Sequence, residues 1–181
     1  MKNPMSRVHA ALLALATLLL SACSATLMQP STQSAAVTDP AKAKVVFMRT
    51  SMVAGAVGVE LFEVVGNSDL KMIGSVPSGN KVVYETTPGD KVFMTHGTAT
   101  DFMTAKLQAG RTYYVILRPN WGTGGFAPTP IRNDGSSEYH TGTADFRSWL
   151  RDTKQIEAEP KQMQSWIATN KDRYMQLYTM Y

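Results

Sequence analysis

The chain has 181 residues, a formal charge of +4 and a single cysteine. Two of its 18 basic residues, Lys2 and Arg7, precede residue 22, whereas no acidic residue occurs before Asp39; without residues 1–22 the balance is 16 basic against 14 acidic, or +2. Basicity therefore gives no case for a nucleic-acid partner, and one cysteine excludes an internal disulfide, so the fold must stand on its core.

The basic start leads into an apolar run, Ala10–Leu20, the charged and apolar regions of an export signal. A membrane-spanning helix needs roughly 20 apolar residues, more than this run supplies. Leu20-Ser21-Ala22-Cys23 follows and resembles the bacterial lipobox. Its small residues suit an extended chain in a peptidase site, and Cys23 offers the thiol that is lipidated. This predicts a signal peptide over 1–22, cleaved between Ala22 and Cys23, and an anchor on Cys23. Buried acyl chains contribute about 0.8 kcal/mol per CH₂, so the multiple chains of a bacterial lipoprotein, palmitate among them, hold firmly. Ser24, in place of Asp, points to an outer membrane and a domain facing the periplasm. Ser24–Pro40 is small, polar and aperiodic. Residues 23–40 read as a flexible tether of roughly 20–25 Å reach.

Seven β-rich runs come next: Lys44–Thr50, Val57–Val64, Leu70–Val76, Lys81–Thr86, Lys91–His96, Asp101–Leu107 and Thr112–Arg118. Gly66-Asn67, Ser78-Gly79-Asn80, Pro88-Gly89-Asp90 and Ala109-Gly110 punctuate them as turns. Regular short strands with such turns predict a mainly β fold, an antiparallel sandwich of about seven strands over 41–132. In the last run Tyr113, Val115 and Leu117 alternate with Tyr114 and Ile116, apolar on both faces, so its second face needs a cover.

Residues 133–181 read as a helical extension that supplies it. Asp145–Asp152 carries Phe146, Trp149 and Leu150 on one side, with Thr143 or Asp145 as a cap. From Lys161 towards Tyr181, behind Pro160, the residues Met163, Trp166, Ile167, Tyr174, Leu177, Tyr178 and Tyr181 form a stripe. It either packs on the sheet or docks a partner.

Ile73-Gly74-Ser75-Val76, Lys81–Tyr84, Thr87–Phe93 and Leu107–Val115 together are similar to an uncharacterised family of small bacterial lipoproteins with a carboxypeptidase-regulatory-like, transthyretin-like β-domain. The resemblance implies a sandwich and an envelope location, and it brings no activity and no catalytic residues.

The chemistry is sparse. His96 and His140 stand far apart, each without the local partner a zinc enzyme commonly has. No G-x-S-x-G elbow occurs, and lipidation consumes the only thiol. Glu157 and Glu159 before Pro160 read as a solvated loop with charge suited to a helix start. Met48, Met52, Met72, Met94 and Met103 read as core filler, not as a copper site. No catalytic residue, metal site or cofactor is expected. One surface feature is distinctive, Asn120–Phe126 (NWGTGGF), either a mobile loop with its Trp tucked into the sheet edge or a binding loop presenting Trp121 and Phe126. The sequence thus favours an outer-membrane-anchored, non-catalytic envelope module that touches the membrane through Cys23 and contacts another envelope protein or peptidoglycan. The alternative is a carrier of a small apolar or peptidic ligand, with a periplasmic hydrolase behind it.

Overall fold

Alternation along one strand sorts the molecule into layers. In the computed structural model, which describes residues 27–31, 39–55, 57–66 and 69–180, β2 (Ala43–Arg49) is buried at every position. Ala43, Val45 and Phe47 face one apolar layer, and Val46 and Met48 face another. A strand buried on both faces must lie inside a stack.

The stack has two sheets. Six strands run in the order β1 (Met28–Pro30), β10 (Lys154–Ala158), β5 (Asn80–Thr86), β2, β8 (Thr112–Asn120) and β9 (Gly125–Ile131). Four run β4 (Asp69–Val76), β3 (Val59–Val65), β6 (Gly89–His96) and β7 (Thr100–Leu107). Between the sheets lies the main core, where Phe47 meets Phe93 edge-on at 5.2 Å and Leu61, Val115 and Leu117 are sealed from solvent. The fold is a β-sandwich with C-terminal helices, as expected, and each helix covers a different outer face.

Helix α1 (Ala144–Asp152) starts at Thr143, whose hydroxyl accepts from the Phe146 N–H at 3.0 Å. It lays Phe146 edge-on against Tyr114 at 4.9 Å, beside Ile116, and so covers the second face of β8. Lys81 donates to the Leu150 carbonyl at 2.6 Å, a cation on the last turn of the helix. Helix α2 (Pro160–Thr179) has Pro160 in its first turn and Glu159 as its cap, accepting from the Gln162 N–H at 2.7 Å. Met163 and Tyr174 sink onto Phe62, Val64, Leu70, Met72 and Met94 of the four-stranded sheet. The stripe therefore packs; Trp166, Leu177 and Tyr178 contribute from partly exposed positions, and Tyr181 lies outside the described residues.

Three strands stand where the sequence predicts none, and two pairings depart from a purely antiparallel sandwich. β1 falls inside the predicted tether, pairing Met28 with Ala158 and Pro30 with Ile156. The tether reading is thus corrected at 27–31, while 24–26 and 32–38 lie outside the described residues. Met28 reaches across to the other sheet: the Ser75 N–H points at its sulfur at 3.3 Å, and a side chain at Gly74 would strike its end. β10 replaces the predicted solvated loop and runs parallel to β5. β9 contains Pro128 and Pro130, which suit an edge strand whose alternate N–H groups have no neighbour to meet. β2 and β8 also run parallel, a crossover between the sheets. Val57–Gly58 belongs to a loop, not to the strand predicted from Val57. At the β5–β6 turn Gly89 takes φ +122°, as the Pro-Gly pair anticipates.

Tyr174 is 4% exposed and touches Phe62 at a ring distance of 4.8 Å. Tyr174→Ala is expected to lower unfolding stability by about 3 kcal/mol, on the scale of buried aromatic truncations; urea melts check it, and an unchanged midpoint would mean that α2 contributes little to the fold.

Candidate functional site

Four connections converge on one end of the sandwich: 50–58 between β2 and β3, 77–79 between β4 and β5, 97–99 between β6 and β7, and 121–124 between β8 and β9. Arg49, the last residue of β2, points into the core beneath them and is fully buried. Its Nη1 donates to the carbonyls of Val57 at 2.5 Å and Val76 at 2.9 Å. Its Nη2 donates to those of Val53 at 2.8 Å and Ala54 at 2.9 Å. The guanidinium lies 4.3 Å from the centre of the Phe126 ring. Burial lowers its pKa, the Glu60 charge partly opposes this, and a guanidinium stays protonated regardless.

This arrangement holds the β2–β3 loop at Val53, Ala54 and Val57 in a shape it would not keep alone. Ala54 has φ +47°, a left-handed conformation that costs a residue with a Cβ roughly 1–2 kcal/mol. Arg49 grips the carbonyls of Val53 and Ala54 at that very bend. Strain held by surrounding contacts is a common mark of functional segments. The loop presents Met52, 82% exposed, and Val57, 63% exposed. Met52 departs here from the core-filler reading, which holds for Met48, Met72, Met94 and Met103.

The second loop is pinned as firmly. Asp101 accepts from the Asn120 amide at 2.8 Å and from the Thr123 hydroxyl at 3.1 Å. Asn120 in turn accepts from the Gly122 N–H at 3.1 Å, and the Gly124 N–H donates to the Asn120 carbonyl at 2.7 Å. Trp121 stands on this turn 82% exposed. Neither sequence alternative survives intact. The turn is a bonded hairpin instead of a mobile loop, Trp121 is not tucked into the sheet, and Phe126 is not presented. Phe126 is 5% exposed, one face under Arg49, its carbonyl accepting from the Thr95 hydroxyl at 2.6 Å. The structure thus separates the two aromatics: one anchors the base, the other faces outward.

At the opposite end of the core, Glu63 is the counterpart of Arg49. Tyr84 and Thr86 reach it from the facing sheet at 2.5 and 2.8 Å, and Lys91 reaches it at 2.7 Å. Burial would raise its pKa, yet the three hydrogen bonds outweigh burial and hold it below the usual carboxylate value. Burial and the same hydrogen bond push the Tyr84 hydroxyl up. The cluster satisfies itself and leaves no group aimed at a ligand.

His96 lies under α2, one ring nitrogen 2.9 Å from the Thr100 hydroxyl and Tyr174 edge-on at 5.3 Å. Its β3 neighbour is Glu60. His140 accepts from the Gly142 N–H at 3.2 Å in a polar turn. Neither ring bonds an Asp or a Ser, and Asp101 serves the Trp121 turn. Glu157 accepts from the Ser31 hydroxyl at 2.9 Å across β1, while Glu159 caps α2. Among the described residues no group of three or more His, Cys, Asp and Glu side chains is placed to hold a metal. Ala22 and Cys23 lie outside the described residues. No helix among the described residues is long and apolar enough to cross a membrane.

No family model matches the chain, and no curated protein matches it. Among solved structures it is similar to one determined by NMR for a protein from Eubacterium rectale, at 6% identity, covering 55% of this chain and 99% of that one, with a TM-score of 0.38. A likeness so weak carries no argument.

Burial first, and then the Arg173 charge, lower the His96 pKa below the usual imidazole value; Glu60 is raised by burial, against its own backbone hydrogen bond and the Arg173 and Arg49 charges. The unfolded chain therefore takes up the imidazole proton before the folded one does. The His96 contribution is complete above about pH 6.5 and shrinks as pH falls below it, while Glu60 works in the opposite sense. Between pH 7.5 and 5.5 the wild-type melting temperature should change less favourably than that of His96→Gln; an equal slope in both proteins would rule His96 out.

Proposed function

We propose that this protein is a lipid-anchored, non-catalytic envelope module that uses the Trp121 turn and the Met52–Val57 loop to dock a partner in the periplasm. One observation carries the reading. Trp121 is 82% exposed on a turn fixed by five hydrogen bonds, so a rigid aromatic is offered to solvent without a folded-state need for it. Trp on a preordered scaffold is a frequent interface anchor, because little freedom is lost on binding.

The anchor supports the same assignment. The lipobox-like segment puts the acyl chains on Cys23, and Leu27 already accepts from the Glu159 N–H at 2.9 Å. Four residue steps span at most about 14 Å, so the β1 edge would sit close to the bilayer. β9 is at the other edge of that sheet, five strand spacings away, or about 24 Å. Trp121, on the β8–β9 turn, would then point away from the anchored edge and towards a periplasmic protein or the wall. The resemblance to small envelope lipoproteins belongs to the same proposal.

The test is photocrosslinking in intact cells. Benzoylphenylalanine in place of Trp121 is expected to trap one discrete protein or wall fragment. Cys23→Ser should release the chain from the membrane and lose that adduct. Trp121→Ala should abolish capture from a reactive group at Met52 while shifting stability by less than about 0.5 kcal/mol, as for an exposed site. Adducts of lipid alone, or a destabilised Trp121→Ala protein, would overturn the assignment.

A further inference from the structure

A strand at the edge of a sheet shows a row of unpaired backbone N–H and C=O groups, and folds protect such edges. Three of the four edges here are protected. β9 carries Pro128 and Pro130, and β1 is three residues long and ends at Pro30. β4 has a register break opposite Leu61 and Phe62, and Met28 lies against its Gly74. β7 is the fourth edge. Its start is crowded by β9, since a Cβ at Gly125 would strike the Ala99 carbonyl and the Asp101 carboxylate. From Phe102 to Leu107 it has no proline, no register break and no strand beside it among the described residues. Its one charge there, Lys106, stands opposite Asp90 of β6.

Two features accompany this edge on the outer face of the sheet. α2 ends over β7, with the Tyr178 ring 6.2 Å from that of Phe102. Past Tyr178 stands Met180, 79% exposed. Further along the strand the face is open, with Asp90, Thr104 and Lys106 all exposed. A hollow of about 330 Å³ lies there, lined by these three residues and Val92. Within one chain, then, an apolar knob stays in solvent while a hollow on the same edge stays unfilled.

We propose that a second copy of this chain pairs with the edge, β7 antiparallel to β7 about a two-fold axis at Thr104, and that Met180 of each copy fills the hollow of the other. The strand is its own complement in this register. Directly opposed residues of antiparallel strands share a face, so Thr104 meets Thr104, a favourable cross-strand pair. Phe102 meets Lys106 of the second copy, a ring beside a cation. On the inner face Met103 meets Ala105, a large side chain against a small one. Because Phe102 opposes Lys106, the end of α2 comes over the second copy at its hollow. A slip of one residue would oppose side chains of different faces, and a slip of two towards Thr100 would run into Gly125. An extended segment of another protein would satisfy the same backbone groups, yet leave Met180 exposed and the hollow open. The two four-stranded sheets join into one, and the two-fold closes the assembly as a dimer. The pairing rests on no part of the docking at Trp121.

Disulfide trapping of the full chain, expressed in cells with Thr104→Cys, tests the pairing. Directly opposed Cβ atoms lie about 4.5–5.5 Å apart, so a mild oxidant should link two copies into a dimer. In Lys106→Cys the two thiols would stand about 14 Å apart along the strands, and no link should form. The parent chain, whose one cysteine is Cys23, gives the background whether or not that thiol carries lipid. Met180→Asp, a change at an exposed position, should slow the linking of Thr104→Cys about tenfold or more by placing a charge in the hollow, with the monomer fold retained by circular dichroism. The proposal is overturned if Thr104→Cys stays monomeric under oxidant, if Lys106→Cys links as readily, or if Met180→Asp leaves the linking rate unchanged.

Discussion

One buried cation organises the loop end of this protein. Arg49 has no carboxylate in contact and is held by four backbone carbonyls and one aromatic face. A buried charge without partners would be severely unfavourable, so these bonds are a condition of the fold. The condition works in both directions. The carbonyls of Val53, Ala54 and Val57 belong to a connection and that of Val76 to the end of β4, where the ladder stops, and the guanidinium supplies the donors they need. Only its Nε among the described buried side-chain atoms stays unbonded. The β2–β3 loop and the end of β4 thus share one donor set, and the start of β9 stacks its Phe126 ring on the same guanidinium.

Around this point the layers follow from alternation. β2 is buried on both faces, so each outer face of the sandwich needs a lid, and the C-terminal segment supplies both. It lays α1 on the six-stranded sheet, adds β10 to that sheet's edge, then crosses to lay α2 on the four-stranded sheet. β10 also seats β1, and Met28 of β1 touches Gly74 of the other sheet. β1 and the C-terminal segment therefore close the sandwich together.

Much of this was legible in sequence, and the rest was hidden for physical reasons. Seven strands, both helices, the Thr143 cap and the cover over β8 came from alternation, turn residues and helical spacing. β1 and β10 were not legible, because three and five residues with polar character carry no periodicity; their pairing is decided by distant partners. Pro128 and Pro130 disguised β9, since proline suggests a break unless the edge position is known. In NWGTGGF the glycines suggested freedom, whereas Asp101, nineteen positions before Asn120, bonds the turn into one shape. Phe126 could not be told from Trp121 until Arg49 was found above its ring.

The docking end depends on Arg49 for its shape. Arg49→Met keeps an unbranched apolar stem and removes every donor. Native-state hydrogen exchange on this variant tests the account most directly. Protection should fall together in 50–55 and 121–126, with a loss of global stability of about 3 kcal/mol or more as four carbonyls, that of Val76 in a fully buried bond, lose their donors. Faster exchange in only one of the two loops, or stability unchanged within about 0.5 kcal/mol, would contradict it.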